Sequence, residues 1–147
     1  MNTRKVVING CHGGFGLSPE ALLWLHAEGA TGIATPVEEY WAGPDDDGRF
    51  GRSRALAQWK AYLASPPTAE RFLFLTVFSP DERFVLNGGR EMARDDALLL
   101  RCLEALGDKA DGPCAALRVI EIPADVKWTI EEYDGLEWIA EQHRTWS

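Results

Sequence analysis

The sequence predicts an α+β fold, a single-domain sandwich in which about three helices cover a mainly antiparallel or mixed sheet of about five to six strands. Three observations carry that expectation. A short apolar run, Val6 to Ile8, passes through a glycine-rich loop into a well-signalled helix. Two later segments carry hairpin signatures, one of them the dipeptide Asp134-Gly135. These hairpins outnumber strand-helix-strand units, which disfavours a wholly parallel sheet. At 147 residues the chain has the usual size of one domain and can bury roughly two thirds of its unfolded surface.

The elements follow in order. Lys5 to Ile8 reads as a strand buried on both faces, because its apolar residues run without alternation. After the loop Asn9 to Gly16, Ser18 is a good helix cap, Pro19 suits the first helical position and Glu20 favours the positive end of the helix. Leu22, Leu25 and His26 share one face, edged by Leu23, and Gly29 terminates the helix. Residues Thr31 to Arg52 form a long loop, with room for one short strand or helical turn.

A second helix is expected from Ser53 to Ala64, with Leu56, Trp59 and Leu63 on its apolar stripe and Pro66 and Pro67 as its stop. Phe72 to Phe78 and Arg83 to Leu86 read as a hairpin around Ser79 to Glu82. A third helix, capped by Asp95 and closed by Gly107, places Leu99, Cys102, Leu103 and Leu106 at helical spacing, so Cys102 reads as core. Leu117 to Ile122 is a strand, and Val126, Trp128 and Ile130 alternate with polar residues ahead of Asp134-Gly135. Leu136 to His143 admits a strand that completes this hairpin or a helix; the strand is the stronger reading.

Composition narrows the function. Fifteen Lys and Arg stand against 23 Asp and Glu, a net charge of −8, and no stretch gathers basic residues. A nucleic-acid partner needs a cationic footprint, so direct binding of DNA or RNA is not expected. No apolar stretch approaches the roughly 20 residues that span a bilayer, and the three consecutive apolar residues near the N-terminus are too few for a signal-peptide core. Cys11, Cys102 and Cys114 are odd in number and form no zinc or CxxC spacing. The expected setting is a reduced cytoplasm, without a membrane partner; oligomeric state is not legible.

The loop "NGCHGGFG" is the first candidate site. A strand that enters glycines and then a helix N-terminus can present backbone N–H groups to an anion, so Asn9, Gly10, Cys11, His12, Gly13, Gly14 and Phe15 are candidate ligand-binding residues. The spacing fits neither the dinucleotide nor the P-loop pattern, and the loop holds no Lys or Arg. A tight corner that exploits glycine is the simpler reading. Cys11 and His12 are adjacent and so point apart, which makes a poor nucleophile-base pair. "PDDDGRFG" at 44–51 departs from the calcium-loop pattern and reads as a solvated acidic turn, and Glu131 and Glu132 alternate across a strand. No catalytic residue, metal site or cofactor is expected.

The second candidate is the tail. Tyr133, Trp138, His143, Arg144 and Trp146 combine aromatic and basic groups of the kind that dominate protein interfaces, although packing in the core or at its edge is the plainer role for Tyr133, Trp138 and Trp146.

Through the blocks "KVVINGCHGGFGLSPEA" (5–21) and "RDDALLLRCLEALGDKADGPCAALRVIEIPADVKWTIEEYDGLEWIAEQHRTW" (94–146), just under half of the chain, the sequence resembles a family of small proteins of bacteriophages and bacterial genomes, prophage regions included, that has no established activity. The resemblance implies a module built from the first strand, its loop and the C-terminal sheet, with 22–93 as a variable insert. It also implies a phage or prophage accessory role, and at His12 relatives often carry an aromatic residue. The leading expectation is a binding protein that inhibits a host defence protein or sequesters a small anionic ligand. The alternative is a small hydrolase or transferase acting on a nucleotide-like substrate at the glycine-rich loop.

Overall fold

The computed structural model describes residues 2–41, 51–65, 75–87 and 91–142. Its helices and strands are, in chain order, β1 (Thr3–Asn9), α1 (Pro19–Ala27), β2 (Ala34–Pro36), α2 (Val37–Tyr40), α3 (Arg52–Ala64), β3 (Val77–Phe78), β4 (Phe84–Leu86), α4 (Ala97–Leu106), β5 (Leu117–Pro123), β6 (Trp128–Tyr133) and β7 (Leu136–Glu141). Every strand pairing among the described residues is antiparallel, and the fold is α+β. The strands fall into three small sheets, β1-β5, β2-β4-β3 and β6-β7. The chain divides into two compact units, residues 1–21 with 90–147, and residues 22–89.

In the first unit β1 pairs with β5 along its whole length, Thr3 opposite Pro123 and Asn9 opposite Leu117. Val6, Val7 and Ile8 are buried, as a continuous apolar run requires. The Ser18 hydroxyl oxygen accepts from Ala21 N at 3.1 Å, the expected cap, and donates to the Lys109 carbonyl at 2.5 Å. At the far end of α1, Ala30 N reaches Leu25 O (2.9 Å) and Gly29 N reaches His26 O (3.1 Å), which stops the helix where Gly29 stands.

α4 is capped by Asp96 rather than Asp95. Its carboxylate accepts from Leu98 N (2.8 Å) and Leu99 N (3.1 Å), the two amides that only the residue just ahead of the first turn can reach. Leu99, Cys102 and Leu103 are buried. Burial pushes the Cys102 thiol up to about 11, as befits a core residue.

β6 and β7 form the expected hairpin. Asp134 (φ 50°) and Gly135 (φ 88°) both occupy the left-handed region that a two-residue turn of this kind demands, so the strand reading of 136–141 holds.

In the second unit the long loop contains both a short strand, β2, and a helical turn, α2. The acidic stretch 44–50 and the first residues of the expected hairpin, 72–74, lie outside the described residues. Of the expected α3 stripe Trp59 is buried and Leu56 half-buried, but Leu63 is 55 % exposed, and Ala55 and Tyr62 are buried in addition. The physical reason is area. The Tyr62 ring stacks on Trp59 with centroids 5.3 Å apart, and a stacked aromatic ring has more surface to bury than Leu63. The β3-β4 turn is held by Ser79, whose hydroxyl donates to Asp81 (2.8 Å) and accepts from Phe84 N (3.1 Å).

Candidate functional site

The glycine-rich loop lies in the first unit, and its geometry begins with the alternation of β1. Gly10 N bonds to Ala116 O on the β5 side (2.7 Å), while Val7 N donates to Arg94 O (2.7 Å) and Asn9 N to Glu137 Oε1 (2.8 Å) on the other side. The open edge of β1 is therefore covered by the residues ahead of α4 and by β7.

Arg94 and Glu137 meet there in a two-pronged ion pair. Nη1 donates to Oε1 at 2.6 Å and Nη2 to Oε2 at 2.9 Å, with the side chains 16 % and 9 % exposed. Arg94 Nη1 also reaches Val7 O (3.3 Å), and its guanidinium carbon sits 3.6 Å from the centre of the buried Phe15 ring. Burial alone would raise the Glu137 carboxyl. The Arg94 hydrogen bonds, the Asn9 amide and the Arg94 charge outweigh burial and hold it below the ordinary carboxylate range.

Asn9 is wholly buried and spends its side chain inside the protein. Nδ2 donates to Cys11 O (2.6 Å) and to Gly135 O (2.7 Å), and Oδ1 accepts from Ala116 N (2.9 Å). A carbonyl and an amide in one short side chain thus join three segments that are distant in sequence: the loop, the entry to β5 and the hairpin turn. Close backbone approach requires glycine on either side. A methyl group at Gly13 would sit 1.7 Å from the Cys114 carbonyl oxygen, and one at Gly135 would sit 2.4 Å from Gly14 N.

The candidate ligand residues therefore divide. Asn9 and Phe15 are buried and partnered, Gly10 and Cys11 are half-buried, and His12 and Gly13 face solvent. The cation that the loop lacks in sequence is supplied by Arg94, but Glu137 neutralises it and Phe15 covers one face. Chemically the arrangement fixes a loop: Arg94 and Asn9 are already paired within the protein, while His12 faces solvent. Sequence reading missed both Arg94 and Glu137. The signals were an arginine just ahead of the α4 cap and a glutamate two residues beyond the turn glycine, neither of which names its partner.

Of the tail candidates, Tyr133 is 72 % and Trp138 42 % exposed, and both stand on the outward face of the hairpin. Register places Trp138 opposite Glu131 and Tyr133 opposite Leu136 on that face, with Ile130 and Ile139 on the other. The Trp138 indole N–H donates to Glu131 Oε2 at 3.2 Å. His143, Arg144 and Trp146 lie outside the described residues. The loop and the hairpin do meet, through Asn9 with Gly135 and Glu137.

A separate cavity of about 550 Å³ opens beside α4 and the β1-β5 pair, lined by Leu100, Leu103 and Val119 together with Lys5, Glu104 and Asp108. None of the candidate residues lines it. Among the described residues, no group of three or more His, Cys, Asp and Glu is placed to hold a metal ion, and no helix is long and apolar enough to cross a membrane. No protein-family model, curated protein or solved structure matches the chain.

Proposed function

We propose that the chain is a binding protein whose contact surface is the outward face of the β6-β7 hairpin, and that it takes a basic segment of a partner protein. The observation that carries this reading is that Tyr133 and Trp138 share one exposed face. A large aromatic side chain left in water forgoes roughly 1.5–3 kcal/mol of burial, so two of them on one face favour a partner that covers them. Their surroundings specify its chemistry. Glu131 stands opposite Trp138 on the same face, Asp134 follows Tyr133 in the turn, and the whole chain carries −8. An arginine or lysine laid on Trp138 or Tyr133 would gain cation-π contact and a carboxylate neighbour together. An exposed aromatic face suits a protein better than a small molecule, and in the loop the Arg94 charge and the Asn9 side chain are already engaged within the protein. Under the resemblance to phage and prophage proteins, the partner would be a host protein, blocked by occlusion.

The test is an immobilised peptide panel with basic, neutral and acidic members matched in length. The wild-type chain should bind the basic members, more weakly as salt rises, and the Tyr133→Ala/Trp138→Ala variant should lose at least about tenfold in affinity, the size expected for one interface anchor. Equal retention on all three classes, or a variant that binds as well as wild type, would overturn the proposal.

A further inference from the structure

A second feature of the loop lies outside that reading. Cys11 and Cys114, 103 positions apart, are brought side by side: the Cys11 thiol lies 3.0 Å from the carbonyl oxygen of Cys114. The loop backbone closes the same gap independently. A methyl group at Gly13 would fall 2.6 Å from the Cys114 Cβ, so that only a glycine two residues beyond Cys11 lets the loop lie against this cysteine. Asn9 fixes the Cys11 end. Its Nδ2 holds the Cys11 carbonyl at 2.6 Å and its Oδ1 lies 3.5 Å from the Cys11 sulfur. Both thiols are free, Cys11 half-buried and Cys114 exposed, whereas Cys102 is sealed in the core.

We infer that Cys11 and Cys114 form a redox-sensitive modification site, closed to an intramolecular disulfide by a hydroperoxide. The exposed Cys114 sulfur attacks one peroxide oxygen; an S–O bond forms, the O–O bond breaks, and the departing hydroxide takes the thiol proton to leave as water. Cys11 sulfur then attacks the sulfenic sulfur, forming S–S and breaking S–O, and its proton converts the second hydroxide to water. Two thiols and one hydrogen peroxide give one disulfide and two waters, with two electrons passing from sulfur to peroxide. The Cys11 sulfur already lies 3.0 Å from the Cys114 carbonyl oxygen, so rotation about the two side chains is the movement that S–S bond formation calls for. In a reduced compartment such a bond is transient and serves as a sensor. Its effect is to tie the loop to the entry of β5.

The experiment treats the wild-type chain with hydrogen peroxide at low protein concentration, blocks residual thiols by alkylation in denaturant, and reads intact mass and a non-reducing peptide map. The expected result is loss of two hydrogen atoms, a linked Cys11–Cys114 peptide pair, alkylation confined to Cys102, and reversal by dithiothreitol. In Cys11→Ser the linked pair should vanish and Cys114 should gain oxygen instead. Recovery of Cys11 as an alkylated thiol beside an oxygenated Cys114 in the wild-type chain, or disulfides only between chains, would overturn the inference.

Discussion

Glu137 grips two segments at once: its Oε1 accepts from the Asn9 backbone amide at 2.8 Å and, at 2.6 Å, from the Arg94 guanidinium. A residue on the last described strand thereby closes the edge of the first. The pair is nine-tenths shielded on the glutamate side, so removal of one partner leaves an uncompensated charge. Arg94→Ala is expected to cost about 3 kcal/mol in urea unfolding, and Glu137→Ala about as much. Joint replacement by Arg94→Met and Glu137→Leu should cost clearly less than either single change. A double variant as unstable as the sum of the two singles would mean that the pair is not a unit.

The same carboxylate gives the protein an acid-sensitive component. Its folded-state ionisation lies below the ordinary 4.5, so its contribution to stability is full above that value and is lost as pH falls through the lower, folded one. Stability should therefore fall on acidification below about pH 4.5, and Glu137→Gln should flatten part of that slope. Asp81, also lowered, chiefly by its hydrogen bond with Ser79, supplies a further part that Glu137→Gln leaves untouched. Unfolding free energies between pH 3 and 7, taken as roughly the range over which carboxylates titrate, provide the check.

Asn9 is the least replaceable polar residue of the loop. Asn9→Ala strands two carbonyl oxygens and an amide in a buried place, each worth about 1–3 kcal/mol. Asn9→Asp keeps the shape but sets a carboxylate oxygen against the carbonyls of Cys11 and Gly135, and is expected to be no milder than Asn9→Ala at neutral pH. Thermal melting of the two variants distinguishes this from a merely steric role, under which Asn9→Asp would be silent.

Turn chemistry gives a sharper contrast. Gly135→Ala meets both a positive φ and a clash with Gly14 N, and should cost more than about 1 kcal/mol. Asp134→Gly, at the neighbouring positive φ, should be nearly neutral. If the two changes proved equal, the contact between turn and loop would carry no energy.

Local signals were the legible part of this chain. The Ser18 cap, the stop at Gly29, the buried run of β1 and the Asp134-Gly135 hairpin each depend on a few adjacent residues, and each stands as expected. What required the folded chain was reach. Arg94 and Glu137 are 43 positions apart and Asn9 and Gly135 are 126 apart, and neither residue of either pair announces the other. α3 shows a third kind of limit. Leucine and aromatic residues compete for one helix face, periodicity accepts either, and stacking of Trp59 on Tyr62 decides it. Of the candidate site, the glycines marked where backbones would touch, while the residues that lock the loop lay elsewhere.

The central claim, that binding occurs on the hairpin face and not in the glycine-rich loop, is tested most directly by NMR titration of the labelled chain with an arginine-rich peptide and, separately, with inorganic phosphate. The peptide should shift the Trp138 indole N–H, bonded to Glu131 in the free chain, together with the β6 and β7 amides, while the amides of 9–16 stay still in both titrations. Saturable shifts of the 9–16 amides with phosphate, and a Trp138 signal unmoved by the peptide, would contradict it.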